Sequence, residues 1–376
     1  MGAEQSEMLH SDAIYSSGYT SISETSSNKD LVDHDFQEKH QNLTKTAFHA
    51  SWHVNTNAFR APKPRKGIAY GFHSSSNKIF FAFGEKENNE LSSELISYDV
   101  KTNRWSTVLQ RIGQARTHAT GNMYGDHFYI FGGKSDDSYF NDLYKINVYT
   151  SEIAKIHGDG IKPSPRCNAV IGHFEGCIII WGGKCAEGKT DNDIHVYNIK
   201  NNTWSTVSSD VQSRIAPSFT QMDNKIYIYG SSEKEGMLIL DMQTLTFEII
   251  PKNGTAPQTT VEHTGLVAVY PNYILCFGGS SEYHYTHLFA FDTIRKWWFV
   301  FHIKPSQEDE SKGEVNDLGL FKIPRQSSFA SIYDSKTRQI ISVFGNHLEE
   351  NTPIGVFDLA KALALCNQRE DLLSML

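Results

Sequence analysis

The stretch WGGKCAEGKTDNDIHVYNIKNNTWSTV, residues 181–207, admits two readings. Glu187, Asp191 and His195 stand four apart, and two carboxylates with an imidazole make a donor set suited to a divalent iron or similar metal. The same stretch also holds a glycine pair after an apolar run, a second short run ending at Asn198, and Trp204 six residues later. That is how one unit of a repeat looks. The rest of the chain decides between the two.

Six times an apolar run ends in an aromatic residue followed by glycine: Phe83-Gly84, Phe131-Gly132, Trp181-Gly182, Tyr229-Gly230, Phe277-Gly278 and Phe344-Gly345. The glycines are spaced by 48, 50, 48, 48 and 67 residues. After each comes a second run ending in Asp or Asn: ISYD, YKIN, HVYN, LILD, FAFD and GVFD, the last at Asp358. Six residues beyond the first five of these ends stand Trp105, Ile153, Trp204, Phe247 and Trp298, and WSTV recurs unchanged at 105–108 and 204–207. Turn residues separate the runs, as at 99–103 and 198–202, so each unit reads as four short strands. Continuous apolar runs such as CIIIWGG mark strands buried on both faces. Repeated four-strand units of this kind predict an all-β ring of sheets, a β-propeller.

The double glycine after an apolar strand, the aromatic-Asp strand and the Trp six residues on resemble the kelch repeat. The resemblance covers residues 45–359 and is fullest in units two, three and five, whereas Gly84-Glu85, Gly230-Ser231 and Gly345-Asn346 lack a second glycine. It implies a six-bladed kelch-type β-propeller. Aligned on the repeat, His195 fills the slot of Ile96, Tyr144, Leu238, Phe289 and Gly355. On an extended strand four residues span roughly 13 Å, too far for neighbours to share an ion unless the loop folds back. The opening stretch therefore reads as a blade, with no metal and no cofactor expected. The sixteen histidines read as isolated strand or loop residues.

Unit six supplies three strands only, since position 364 is Ala within the helical run AKALALC. An open blade leaves an unpaired edge, which rings avoid by overlapping their ends. Trp52 precedes Gly84 by 32 residues, against 27, 29, 26 and 31 for the corresponding gaps, so residues 46–55 are expected as the missing fourth strand. The tail from Leu359 reads as a two-faced helix, residues 360–376, packed on the bottom of the ring.

A hydrophobic content of 39% with 12% aromatics supports a sizeable core, and a net charge of −8 argues against a nucleic-acid binder. Five cysteines without a CxxC pair favour reduced thiols and a cytoplasmic setting. The basic stretch RAPKPRK, residues 60–66, reads as a stiff Pro-containing connector. Residues 1–44 are Ser-rich and acidic and read as disordered. They begin MGAEQS, a match to the acceptor motif for myristoylation of Gly2, and one acyl chain supplies at most weak membrane association.

Arg116, Arg166, Arg214 and Arg325 each stand just before a first strand. Kelch proteins that bind acidic peptides resemble this arrangement, which implies a partner-binding face on a monomeric propeller. There the planar guanidinium forks would grip an acidic or carboxylate-bearing segment. The lengthened loop 304–323, with Glu308-Asp309-Glu310, would lie on that face as a flap. The reading is a non-enzymatic interaction module. One alternative is a substrate receptor of a ubiquitin ligase, although the elongin-recruiting box fails at Leu359 and Leu363. The other is an iron-dependent specifier-type kelch enzyme built on Glu187, Asp191 and His195.

Overall fold

The computed structural model describes residues 49–56, 59–136, 138–186, 191–231, 236–257, 264–279, 285–307, 311–315, 320–345 and 354–368. The fold is all-β and propeller-like, with little helix. Four sheets are four-stranded antiparallel meanders: Ala69–His73 to Arg104–Leu109, Thr120–Tyr124 to Ile153–Ile156, Val170–Phe174 to Thr203–Val207, and Ser218–Met222 to Thr246–Ile250. A fifth sheet has eight strands. One half comprises Gly265–Val269, Tyr273–Phe277, His287–Asp292 and Trp297–Pro305; the other comprises Ala330–Asp334, Gln339–Val343, Ile354–Asp358 and His49–Asn55.

The second strand of each unit explains why these sheets stand in a ring. In Lys78–Ala82, His127–Phe131, Cys177–Trp181, Lys225–Tyr229 and Gln339–Val343 the last four residues are all buried. Successive side chains of a strand point to opposite faces, so such a strand needs a neighbour on each side. Ile79 and Phe81 pack toward Ile341, Val343 and Phe344 of unit six, while Phe80 and Ala82 pack toward Phe128 and Ile130 of unit two. The apolar clusters continue in this way between units two and three, three and four, four and five, and five and six. No sheet has a solvent-facing broad side to spare.

The fourth strands face outward, and three of them hold on through a buried tryptophan. Trp105, Trp204 and Trp298 are buried opposite Tyr98, Tyr197 and Phe291, their register partners on the third strands, with ring centres 5.0–5.2 Å apart. The N-terminal strand His49–Asn55 takes this place beside Ile354–Asp358, pairing antiparallel from Ser51 with Asp358 to Asn55 with Ile354. Trp52 is 2% exposed and lies 4.6 Å from the Phe357 ring. A side chain at Gly355 would come within 2.2 Å of the Trp52 indole, so glycine there makes room for the ring.

One sequence expectation changes in detail. In phase with Gly132 (φ 69°) and Gly133 (φ 102°), the left-handed pairs of units one and six are Phe83 (φ 65°) with Gly84 (φ 98°) and Phe344 (φ 66°) with Gly345 (φ 96°). These units therefore keep the second glycine and replace the first by phenylalanine, a bulky residue in a region that normally excludes it. In the described part of the loop after Pro305, Trp52 Nε1 donates to Lys312 O at 3.0 Å, and Ser306 N and Ser311 Oγ both donate to Trp52 O. Its described part pins the N-terminal strand, and Glu308-Asp309-Glu310 lie outside the described residues. The helix Ala360–Gln368 buries Ala362 and Leu363, with Leu359 before it, in the cluster between units five and six.

A chain shortened to begin at residue 57 lacks both the strand and Trp52. It is expected to lose at least about 3–5 kcal/mol in a denaturant melt, the range for emptying a tryptophan site, whereas a chain beginning at residue 45 melts like the full protein. Equal melts for the two truncations would show that the strand contributes nothing to closure.

Candidate functional site

Four residues before the first strand of a unit, the chain turns inward from the rim. Arg65, Arg116, Arg166 and Arg214 occupy this position ahead of Ala69, Thr120, Val170 and Ser218, and Gln326 occupies it ahead of Ala330. All five are buried, at 4%, 1%, 0%, 3% and 3% exposure. The main-chain carbonyls of Arg65, Arg116, Arg166, Arg214 and Gln326 accept from the N–H of Gly345, Gly84, Gly133, Gly183 and Gly279, the left-handed glycines of the preceding units. Three guanidiniums reach the other way, to the glycine sixteen residues ahead in their own unit: Arg116 to Gly132 O at 3.2 Å, Arg166 to Gly182 O at 3.1 Å and Arg214 to Gly230 O at 3.3 Å. Each arginine thus ties two adjacent units together.

Several of their other donors are also met within the chain. Arg116 Nη2 donates to Asp142 Oδ2 at 3.1 Å, Arg166 Nη2 to Asp191 Oδ2, Arg65 Nη1 to Glu94 Oε2 at 3.2 Å, and Arg214 Nη2 to Gly236 O at 3.3 Å. Where phenylalanine replaces the first glycine, the next arginine stacks on it: Arg116 lies 5.0 Å over Phe83 and Arg65 5.5 Å over Phe344. The expected outward grip on a partner is therefore replaced, for Arg116, Arg166 and Arg214, by internal carboxylates and carbonyls. Arg325 is exposed and one residue out of phase, since Gln326 fills the interior position. Arg65, read as part of a connector, is the member the sequence reading missed. Its spacing of four residues to Ala69 was the available signal.

The opening motif behaves in the same spirit. The loop before Ile194 does fold back, bringing Asp191 Oδ2 to 2.8 Å from His195 Nε2, closer than extended spacing suggested. The carboxylate there also receives Arg166, and its other oxygen accepts the Asp193 N–H at 3.0 Å. Burial by itself would raise the Asp191 carboxyl, but Arg166, His195 and the Asp193 amide together hold it below the usual carboxylate range. Burial lowers the His195 imidazole, only partly offset by Asp191. Glu187 lies outside the described residues.

Two residues after the buried position the backbone enters the left-handed region at Gly67, His118, Asn168 and Ser328, with φ of 54–60°. This turns N–H and C=O along the ring. Gly67 N donates to Ser328 O, His118 N to Gly67 O and Asn168 N to His118 O, a belt of main-chain bonds around one mouth of the axis. Just outside it, short antiparallel pairings set Lys66 against Glu85, Thr117 against Lys134 and Cys167 against Lys184. Lys66 and Glu85 neutralise each other at 3.0 Å. In the next two units lysine instead faces a hydroxyl or a thiol. Burial pushes the Cys167 thiol up to about 11, and both Lys134 and Lys184 pull against that rise.

Inside the belt lies an axial cavity of about 580 Å³ lined by the first strands. Its described lining contains no lysine or arginine and one carboxylate, Asp223. At the far end His173 Nδ1 meets Asn122 Oδ1 at 2.7 Å, while Gln221 accepts the His173 N–H and donates to its carbonyl. Burial lowers the His173 imidazole to about 4. Among the described residues, the axis thus carries no lysine or arginine, and Lys134 and Lys184 stand at the rim.

The chain matches the family described as KLHDC2/KLHL20/DRC7 Kelch-repeats domain over residues 33–231 and 168–315. The chain belongs to the kelch-repeat family. Kelch domain-containing protein 10 of Homo sapiens is 24% identical over 240 residues, covering 57% of this chain and 52% of that protein. Kelch domain-containing protein 1 of Mus musculus is 26% identical over 235 residues, 51% of this chain and 57% of the relative. Acyl-CoA-binding domain-containing protein 5 of Arabidopsis thaliana is 24% identical over 283 residues, 71% of this chain and 41% of its own length. This kelch chain therefore spans about half the length of the curated relatives it matches.

Arg166→Ala strips Asp191 of its cation and Gly182 O of a donor in a buried setting. The expected loss is about 3–5 kcal/mol by denaturant melt, against under about 0.5 kcal/mol for Arg325→Ala at the surface. A second test concerns His173, whose folded pKa of about 4 lies below the unfolded value of about 6.5. The unfolded chain takes up a proton that the folded one resists, so stability falls as pH drops through that window. His173→Gln should flatten melting temperature against pH between the two values; an unchanged slope would assign it to other groups.

Proposed function

We propose that this chain is a six-bladed kelch propeller, its eight-stranded sheet counting as two blades, that serves as a non-enzymatic protein-interaction module. Six apolar clusters in cyclic order between neighbouring units support the count. The partner binds the face that carries the connections between blades and the loops between second and third strands. It presents an acidic segment or a terminal carboxylate to Lys134, Lys184 and Arg325, while Arg116, Arg166 and Arg214 hold the loops from beneath. The observation that carries this reading is the pair of equivalent pairings that set Lys134 and Lys184 against Thr117 and Cys167, with no ion pair to either lysine among the described residues. The commitment of Asp191 to Arg166 and His195 favours binding over iron chemistry at that position.

The test uses fluorescent peptides of matched length, ending in Glu with a free carboxylate or in an amidated neutral residue. Lys134→Glu with Lys184→Glu should weaken the acidic peptide by about tenfold or more, since two rim charges each contribute up to about 1 kcal/mol and reversal adds repulsion. Melting should stay unchanged and added salt should weaken the wild type. Equal binding by wild type and double variant would move the partner surface elsewhere.

A further inference from the structure

Three histidines far apart in the chain come into register at the seam of the eight-stranded sheet. His287 opens the third strand of unit five and pairs directly with His302 on Trp297–Pro305. His302 is in turn the register partner of His49, the first residue of the N-terminal strand, which runs parallel to it. Residues directly opposite on neighbouring strands project to the same face, with Cβ atoms about 4.5–5.5 Å apart in an antiparallel pair. The alternate residues Leu288, Phe301, Ile303 and Ala50 enter the apolar cluster on the other side. The three imidazoles therefore form one row across three adjacent strands.

The row is sheltered but not sealed: His287 and His302 are each 9% exposed, and His49 is half-buried. The His287 and His302 ring centres are 5.7 Å apart at an interplanar angle of 55°. Two imidazoles on one zinc ion, each bound at about 2.0–2.1 Å, place their ring centres roughly 5–6 Å apart. The Thr286 hydroxyl engages His287 Nδ1 at 2.8 Å, the kind of outer contact that fixes the ring of a metal-binding imidazole.

We propose that His49, His302 and His287 form a site for a borderline transition-metal ion, zinc by preference, which clips the N-terminal strand to unit five. Among the described residues no three such side chains already converge, so the site assembles by side-chain rotation as the ion arrives. An all-imidazole set selects zinc, copper or nickel over calcium or magnesium, which require oxygen donors. Three protein ligands leave a fourth position for water. Two of the ligands bracket the junction between His302 and His49, so binding would strengthen the strand pairing that joins the chain's first strand to unit five.

The experiment takes the tag-free full chain, stripped with EDTA and titrated with zinc chloride by calorimetry, with thermal melts alongside. One equivalent is expected to bind, with melting raised by roughly 5 °C at hundredfold excess over Kd. His302→Gln and the less buried His49→Gln should each weaken zinc about 100-fold and abolish the rise in melting. His53→Gln, four residues along the same strand face, should leave both readings as in the wild type. No zinc binding by the wild type, or binding that survives either His302→Gln or His49→Gln, would overturn the assignment. Should His302→Gln fail to fold, His49→Gln decides alone.

Discussion

A strand apolar on both faces cannot stop at one neighbour, and that constraint organises the molecule. Ile79 and Phe81 point one way while Phe80 and Ala82 point the other, and each successive unit repeats the demand. Sheets arranged in a line would leave a terminal face exposed to water, at about 25 cal/mol for every Å² of apolar surface. A ring removes both ends. The N-terminal strand follows from the same logic, because without Trp52 the Phe357 ring and the cluster between units five and six would face a gap.

The junction between units is polar, and it is built with equal economy. A left-handed glycine N–H in one unit meets the main-chain carbonyl of a buried residue in the next, and an arginine side chain at that residue returns to its own unit. A Cβ at Gly183 would lie 2.6 Å from Cys167 O, which is why glycine is needed where the loops cross. Burying a guanidinium is tolerable only when nearly every N–H has an acceptor, and Asp142 and Asp191 supply the charge complement. The arginines then serve as fasteners beneath the surface that a partner would touch.

This has a consequence for recognition. Had the guanidiniums faced outward, the mouth would carry a ring of fixed positive charge. Instead the axis is lined by amides, hydroxyls, glycines and aromatic rings, and Lys134 and Lys184 stand at the rim on flexible stems. Binding at such a rim depends on salt and contributes more to association rate than to lifetime. Specificity would then rest on the loops that differ from unit to unit, among them those whose glycine pair is replaced.

The repeat, the four-strand unit and the fourth-strand role of the N-terminal segment were legible in the sequence, because the recurring apolar runs and the spacing of Trp52, Trp105, Trp204 and Trp298 follow directly from strand geometry. Periodicity also located the arginines at equivalent positions, but it does not report which way a side chain turns. Whether Arg166 meets water or Asp191 depends on how the loop 25 residues later folds back, and that is set by packing between units. The phase error at Phe83 and Phe344 has a similar origin: an aromatic residue in left-handed backbone is disfavoured locally and is sustained by an arginine from the neighbouring unit. Most distant of all is the row formed by His49, His287 and His302. No pattern along the chain joins residue 49 to residue 302, and only the parallel pairing at the seam, which exists because the ring closes, sets them side by side.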